Sequence, residues 1–199
     1  MSSTGVVPRI LHAELSEYRR QLRDVRADAE SLVEGLTDAQ FNWSPAPGRW
    51  SIAECLDHLN AGWRVLPKLD HKIATATEKG LRGEGPYRHP LLGRLYVRFV
   101  EPPPKVRVRA PKAFVPKPDQ PLAAVAPRFL ELQDEIIRRV IAADGLDLGG
   151  IRMSSPITRR FKMSLGQWFA FLAAHERRHV WQAWQVRKHP EFPGGQAGS

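Results

Sequence analysis

Hydrophobic side chains recur every three or four residues along four stretches of this chain. The stretches are residues 9–35, Ser51 to about Glu78, Pro121–Ala143 and Leu165–Lys188. This spacing places the apolar side chains on one face of an α-helix and the charged ones on the other. The pattern predicts an all-α protein in which four long amphipathic helices bury their apolar faces as a four-helix bundle.

Local signals indicate where these helices begin and end. Ser51 followed three residues later by Glu54 forms the capping-box pattern that starts the second helix. Gly35 is a suitable stop for the first helix. Pro67 predicts a kink in the second helix, and Pro127 predicts that the regular part of the third begins there, because proline is tolerated mainly near a helix start.

Residues 80–119 differ from the rest of the chain because they hold eight prolines between Pro86 and Pro118. We interpret them as a long crossover between the second and third helices, with a short helical piece at Leu91–Val100. A disordered linker is the alternative, but five apolar side chains favour a segment packed over the bundle. These are Phe99, Val106, Val108, Phe114 and Val115.

The remaining segments complete a single predicted domain, residues 1–199, with its core at about residues 9–188. Leu146–Ser164 is predicted to be a loop with apolar patches. Residues 189–199 are rich in glycine and proline and are predicted to form a frayed tail.

The net charge of +9 raises the question of nucleic-acid binding. The arginines are scattered in pairs along the chain, and no lysine- or arginine-rich block or nucleic-acid motif accompanies them. A solvated basic surface is therefore the preferred interpretation, and a nucleic-acid partner is not expected.

Cysteine usage and hydropathy predict a cytoplasmic protein. Cys55 is the one cysteine, so no disulfide can form within the chain. The first residues lack the apolar segment of a signal peptide. No apolar run reaches the ~20 residues that a membrane helix needs, so no membrane association is expected.

The last helix carries the most informative pattern. His175 and His179 are four residues apart and share a helix face. That face is otherwise mostly apolar and consists of Trp168, Phe171, Leu172, His175, His179, Gln182 and Val186. The opposite face is predicted to meet water and consists of Glu176, Arg177, Arg178 and Gln185. Because burying imidazoles is costly unless their nitrogens find partners, the two histidines predict a polar site inside the bundle.

His58 lies near the inward face of the second helix and is the natural third member of that site. Two histidines at this spacing can chelate a metal ion, and three leave a fourth position open, as in catalytic zinc sites. Three separate core histidines, each hydrogen-bonded, are the alternative. Gln182 is a candidate to hydrogen-bond a metal-bound group, and Asp57 and Glu54 are weaker candidates to orient an imidazole.

Other polar and aromatic residues are given ordinary structural roles. His12, His71, His89 and His189 are predicted to be surface residues. Five tryptophans are predicted to be core residues rather than walls of a pocket. These are Trp43, Trp50, Trp63, Trp168 and Trp181.

Three segments carry a resemblance to a known family. WSIAECLDHLN, HERRHVWQ and LTDAQFNWSPAPGRWS together resemble the DinB-like superfamily of DinB/YfiT-like metalloenzymes, over roughly residues 9–188. The resemblance implies a four-helix bundle and a divalent metal, zinc or nickel, held by His58, His175 and His179. It also implies chemistry related to thiol-dependent S-transferases and isomerases, a low-molecular-weight thiol as a cofactor, and a homodimer.

Two functional hypotheses follow. The leading one is a metal-dependent enzyme of the thiol S-transferase or isomerase type that acts on a small molecule. The alternative is a non-catalytic, metal-stabilised bundle that binds a small molecule or a protein. The alternative predicts a closed metal site with no cleft leading to it.

Overall fold

The computed structural model describes residues 11–106, 109–155 and 160–194. Within these ranges the chain forms seven α-helices and two short β-strands. The helices are α1 (Ala13–Val33), α2 (Asp38–Asn42), α3 (Ile52–Asn60), α4 (Leu66–Glu78), α5 (Leu91–Val100), α6 (Leu122–Ala142) and α7 (Leu165–Arg187). The strands are β1 (Arg152–Ser154) and β2 (Lys162–Ser164).

Helices α1, α3, α6 and α7 form a four-helix bundle, as predicted. Helix α1 packs against both α6 and α7, and α3 packs against the same two helices on the other side. The bundle interior contains the periodic apolar residues of all four helices. Among its most deeply buried side chains are Leu22, Leu56, Phe129 and Trp168.

Capping boxes start three of the helices. The Ser51 hydroxyl accepts from the backbone N–H of Glu54, whose carboxylate accepts in turn from the backbone N–H of Ser51. Thr37 and Ser164 cap α2 and α7 in the same way. The predicted start of the second helix is therefore confirmed, and Glu54 is fully engaged in capping rather than in orienting a histidine.

The predicted second helix is two helices. A 3₁₀ turn, Ala61–Arg64, separates α3 from α4, and Pro67 lies in the first turn of α4, where its missing N–H costs nothing. A Cβ atom on Gly62 would lie 3.1 Å from Leu132 Cδ2. The chain thus turns where its backbone comes closest to α6, and the predicted kink precedes Pro67.

The prediction that the regular third helix begins at Pro127 is wrong, because α6 runs without interruption from Leu122. Pro127 lies inside the helix on its exposed side. It is near enough to the N-terminus that only one early backbone hydrogen bond is lost.

The crossover is partly helical, and its apolar residues are less buried than predicted. The helical piece is confirmed as α5, which packs against α7, and a 3₁₀ turn follows at Lys112–Phe114. Phe99, Val106 and Val115 are 45%, 53% and 57% exposed, whereas Phe114 is half-buried. Val108 lies outside the described residues. Packing of α5 against α7 places the first part of the crossover, and hydrogen bonds from Ala113, Phe114 and Lys117 join its later part to the bundle.

Two further predictions differ from the structure. The predicted loop Leu146–Ser164 contains an antiparallel pair, β1 with β2, in which Met153 faces Met163. The predicted frayed tail includes Phe192, which is 6% exposed and packs against Trp43. Its last residues, 195–199, lie outside the described ranges.

In the described ranges, no helix combines the length and apolar character that crossing a membrane requires.

Candidate metal centre

Three histidines meet between α3 and α7. His58 comes from the last turn of α3, and His175 and His179 come from successive turns of α7. One ligand nitrogen from each lies within 4.8 Å of the other two. The structure therefore brings together the three residues that the sequence predicted as a cluster.

The spacing of the nitrogens suits a shared metal ion. The Nε2 atoms of His58 and His175 are 3.2 Å apart. Two nitrogens bound to one tetrahedral zinc ion at ~2.0–2.1 Å lie about 3.3–3.4 Å from each other. The two rings are thus already close to the separation that a common cation requires.

Hydrogen bonds fix which nitrogen of two rings faces the centre. His58 Nδ1 lies 2.6 Å from the carbonyl oxygen of Phe114, and His179 Nδ1 lies 3.2 Å from Gln182 Oε1. Both partners are oxygens that can only accept, so each Nδ1 carries the proton and donates it. Each Nε2 is then left with its lone pair directed at the centre, the tautomer of a metal-binding histidine.

Burial keeps the three rings neutral. Burial lowers the pKa of His58, although its bond to Phe114 opposes the shift. Burial also lowers the pKa of His175 to about 3, with smaller contributions from repulsion by a protonated His58 and by Arg178. Burial, followed by repulsion from the other two imidazoles when protonated and from Arg178, lowers the pKa of His179 well below its usual 6.5, against the opposing effect of its bond to Gln182. Neutral imidazole is the form that binds a metal, so the site is prepared for a cation.

The crossover holds the α3 side of the site through three hydrogen bonds. Besides Phe114 to His58, the Ala113 carbonyl accepts from Arg64 Nη1 at 2.5 Å. Asp57 Oδ2 accepts from the backbone N–H of Lys117 at 2.9 Å. Asp57 therefore holds the crossover rather than an imidazole, and the Phe114 carbonyl performs the orienting role. Sequence reasoning missed this group because a backbone carbonyl has no residue-type signature.

Aromatic rings enclose the histidines. The indole of Trp50 lies with its centroid 4.9 Å from that of His58 and 5.6 Å from that of His179. Phe171 stacks on His175 at 5.4 Å and 24°. Cys55 is fully buried one turn before His58, and burial raises the pKa of its thiol. Cys55 is a core residue, as the sequence suggested, and it does not join the cluster.

A cleft of about 480 Å³ adjoins the site. Trp50 and Gln182 belong to both, since each contacts a histidine of the cluster and also lines the cleft. Trp181 lines the cleft as well. Trp168 is a core residue. Trp50 packs against the apolar core and also lines the cleft, whereas the interpretation of Trp181 as a core residue is wrong, because it is a half-buried wall of the cleft.

The face of α7 opposite the histidines is not uniformly exposed. Glu176 is 3% exposed, and its Oε2 has no hydrogen-bond partner among the described residues. Burial raises the pKa of Glu176 to about 8, against the opposing influences of Gln133 and Arg177. The expectation that Glu176 meets water is wrong, because α7 is packed on several sides, by α1, α3 and α5.

His89 is also less exposed than predicted. Its Nδ1 lies 2.7 Å from Ser164 Oγ, and its Nε2 lies 2.8 Å from Glu14 Oε1. Tyr18 donates to the same carboxylate oxygen at 2.7 Å. This cluster joins the crossover to the starts of α1 and α7. Ser164 is fully buried and caps α7, so the cluster is structural.

Comparisons with known proteins agree with this architecture. The solved structure of YfiT from Bacillus subtilis, described as a probable metal-dependent hydrolase with an unusual four-helix bundle topology, is similar with a TM-score of 0.56. The match covers 94% of this chain and 93% of that one at 12% identity, which makes it a likeness of fold. None of the curated proteins matches this chain. The family model of the DinB superfamily matches residues 21–183, and the chain belongs to that superfamily.

Proposed function

We propose that this protein is a metal-dependent enzyme whose divalent cation, zinc or nickel, is held by His58, His175 and His179. The observation that carries the proposal is the 3.2 Å separation of two Nε2 atoms, on the buried ring of His58 and the partly buried ring of His175, both of which have a lowered pKa. Without a cation, the two rings can share an N–H···N hydrogen bond in which His175 Nε2 donates to His58 Nε2. A shared cation would replace that proton and draw the lone pairs of both rings to one point.

The donor set favours an open, catalytic type of site. Among the described residues, the cluster has three members and no fourth histidine, cysteine or carboxylate. A cation held in this way lowers the pKa of a water or thiol at the open position and so provides a nucleophile near neutral pH. The chain's own contribution is to fix the rings of His58 and His179 through Phe114 and Gln182 and to limit water through Trp50.

The chain's one thiol is not a candidate nucleophile. Cys55 is fully buried, and burial raises the pKa of its thiol, so it is unsuited to attack a substrate. We propose a low-molecular-weight thiol that is transferred to a small molecule or promotes its isomerisation. Hydrolysis by water is the second candidate, and the description of YfiT as a probable metal-dependent hydrolase favours it. The thiol, the identity of the metal and the homodimer remain predictions.

The non-catalytic alternative predicts a closed centre. The adjoining cleft, which shares Trp50 and Gln182 with the site, argues against it because a small molecule in the cleft would lie one side chain away from the histidines. A purely structural metal has no need of such access.

The test is elemental analysis of the untagged protein after incubation with zinc or nickel and removal of free metal. We expect about one divalent ion per chain, and its loss in a His175→Ala/His179→Ala variant that keeps its helical circular-dichroism spectrum. His71→Ala is the matched control, because His71 is exposed on α4. Absence of metal from the wild-type protein after incubation would overturn the proposal. Metal binding with no turnover in thiol-transfer and ester-hydrolysis screens would favour the structural alternative.

A further inference from the structure

The cleft beside the histidines is basic. Its charged and titratable lining residues are Arg49, Lys188 and His189, and no aspartate or glutamate lines it. Arg49 and Lys188 are exposed, and within the described ranges neither forms an ion pair with a carboxylate. Most other ion pairs on the surface are made within one helix, such as Arg20 with Glu17. The cleft thus offers two cations without a carboxylate counter-ion, although the Lys188 ammonium lies 5.2 Å from the centroid of the Trp184 ring.

The rest of the lining consists mainly of aromatic and aliphatic side chains, together with the amides of Gln182 and Gln185. Trp50 and Trp181 contribute indole rings, and Pro45 and Val186 add aliphatic surface. Aromatic rings of this kind bind planar apolar groups by stacking or edge contacts. An occupant that suits the whole lining therefore combines a planar apolar body with a negative charge.

Gln182 connects the cleft to the metal centre. Gln182 Oε1 accepts a hydrogen bond from His179 Nδ1. The NH₂ group of Gln182 is therefore directed away from that histidine. This NH₂ group has no partner among the described residues and is able to donate to a molecule in the cleft. A bound molecule would touch the residue that orients a ligand histidine.

We propose that the cleft binds a small organic acid with a planar apolar body. Its carboxylate pairs with Arg49 and Lys188, its body lies against Trp50 and Trp181, and its far end reaches the three histidines. A guanidinium recognises a carboxylate through paired hydrogen bonds, which gives a preference for acids over their neutral amides. The part of the proposal that makes this acid the substrate rests on the proposed metal-dependent function; the binding of the acid does not.

The experiment is isothermal titration calorimetry with naphthalene-2-carboxylate and its neutral analogue naphthalene-2-carboxamide. Both are titrated into metal-free and zinc-incubated protein. The test variant is Arg49→Gln/Lys188→Gln. The matched control is Arg94→Gln/Arg98→Gln, which removes the same charge from exposed positions on α5. We expect the metal-free wild-type protein to prefer the carboxylate, and the test variant to bind it at least about tenfold more weakly. The control variant should bind like the wild type.

Three outcomes would overturn the proposal. Equal affinity for the carboxylate and the carboxamide would show that charge is not recognised. An equal loss in the control variant would assign the effect to net charge rather than to the cleft. Carboxylate binding that requires zinc would place the acid on the metal instead of on Arg49 and Lys188.

The two proposals fail separately. Carboxylate binding by the metal-free protein, together with an inability to take up zinc or nickel, would keep the cleft and remove the metal-dependent function. Zinc uptake without any preference for the carboxylate would keep the metal site and overturn the proposed acid binding in the cleft.

Discussion

His58 and Phe114 are 56 positions apart in the chain, yet His58 Nδ1 lies 2.6 Å from the Phe114 carbonyl oxygen. This contact assigns a role to the proline-rich crossover, which would otherwise look like a connection between helices. The crossover supplies the group that fixes the tautomer and orientation of one candidate metal ligand. Metal affinity should therefore depend on backbone geometry well outside the bundle.

Val115→Pro should weaken metal binding without touching a ligand side chain. Phe114 ends a 3₁₀ turn, and a following proline disfavours helical backbone angles at the preceding residue, so the carbonyl should move away from His58. Loss of such an orienting group typically costs about 10- to 100-fold in metal affinity. The measurement is a zinc titration in competition with a chromogenic chelator.

Val115→Ala is the control, because it removes the same exposed side chain without restricting the backbone angles of Phe114. Unchanged zinc affinity in Val115→Pro would contradict the role assigned to the Phe114 carbonyl.

The metal-free protein should lose stability as the pH falls below about 6.5. Burial lowers the pKa of His58, His175 and His179 in the folded state, so the unfolded chain takes up protons first. The contribution of the neutral histidines to the free energy of unfolding is fully present above ~6.5, the pKa of histidine in the unfolded chain. It is lost as the pH falls towards the pKa values of the folded state, by up to about 1.4 kcal/mol per pH unit for each histidine. Urea unfolding between pH 7.5 and 5 measures it.

Zinc should steepen this dependence, because the cation and the protons compete for the same nitrogens. A free energy of unfolding that stays constant between pH 7.5 and 5 in the metal-free protein would argue that the three rings are solvated.

Glu176→Gln should stabilise the protein at alkaline pH. Burial raises the pKa of Glu176 from 4.5 to about 8, so its contribution to stability is lost as the pH rises from about 4.5 through 8. Glutamine has a similar shape and no charge to bury. We expect a gain of about 1–3 kcal/mol in the free energy of unfolding at pH 8.5, of the order found when an unpaired buried charge is removed, and little change at pH 5.

Urea unfolding at the two pH values tests this, with Glu131→Gln, an exposed glutamate on α6, as the control. A loss of stability at pH 8.5 in Glu176→Gln would mean that the carboxylate has a favourable partner. The variant also simplifies the acid titration of the histidines, since Glu176 changes stability in the opposite direction over part of the same range.

Gly166→Ala should destabilise the junction of α1, α7 and the crossover. An added Cβ would lie 2.5 Å from Glu14 Oε1 and 2.6 Å from His89 Cε1, closer than real contacts allow. Alanine normally stabilises a helix relative to glycine by about 1 kcal/mol. The sign of the measured change in the free energy of unfolding therefore shows whether helix propensity or steric overlap dominates. We expect overpacking to win and to cost about 1–3 kcal/mol, measured by urea unfolding.

The same substitution in a Glu14→Ala background is the control, since part of the clash is then gone. If Gly166→Ala were stabilising in the intact protein, the close approach of His89 and Glu14 would be refuted.

The histidine cluster was predictable because its members lie on helices. A spacing of four puts His175 and His179 on one face, and the apolar residues around them show that this face points inward. The capping box at Ser51 also fixed the start of α3 and hence the direction of His58. Regular geometry converts sequence spacing directly into spatial position.

The features that the sequence did not predict lie outside the long regular helices, or depend on how many elements surround a helix. The Phe114 carbonyl is a backbone group in an irregular segment, and β1 and β2 are each three residues long, too short for a hydrophobic period to appear. Glu176 was placed in water because a helix with one apolar face was assumed to have one neighbour. Helix α7 packs against α1, α3 and α5, and which helices surround it is a property of the whole fold.

The separation of His58 from His175, 117 positions, also sets the order of events during synthesis. Chains leave the ribosome N-terminus first, at about 5–20 residues per second. While α1, α3 and α6 are already free to pack, the nascent chain still holds one histidine of the cluster and lacks the other two. A cation that needs all three imidazoles cannot assist the early stages of folding. The earlier helices have to associate through contacts among themselves, both apolar and polar, such as the buried bond from Asn60 to the Val125 carbonyl. A metal ion held by all three histidines could be captured only when the final helix docks.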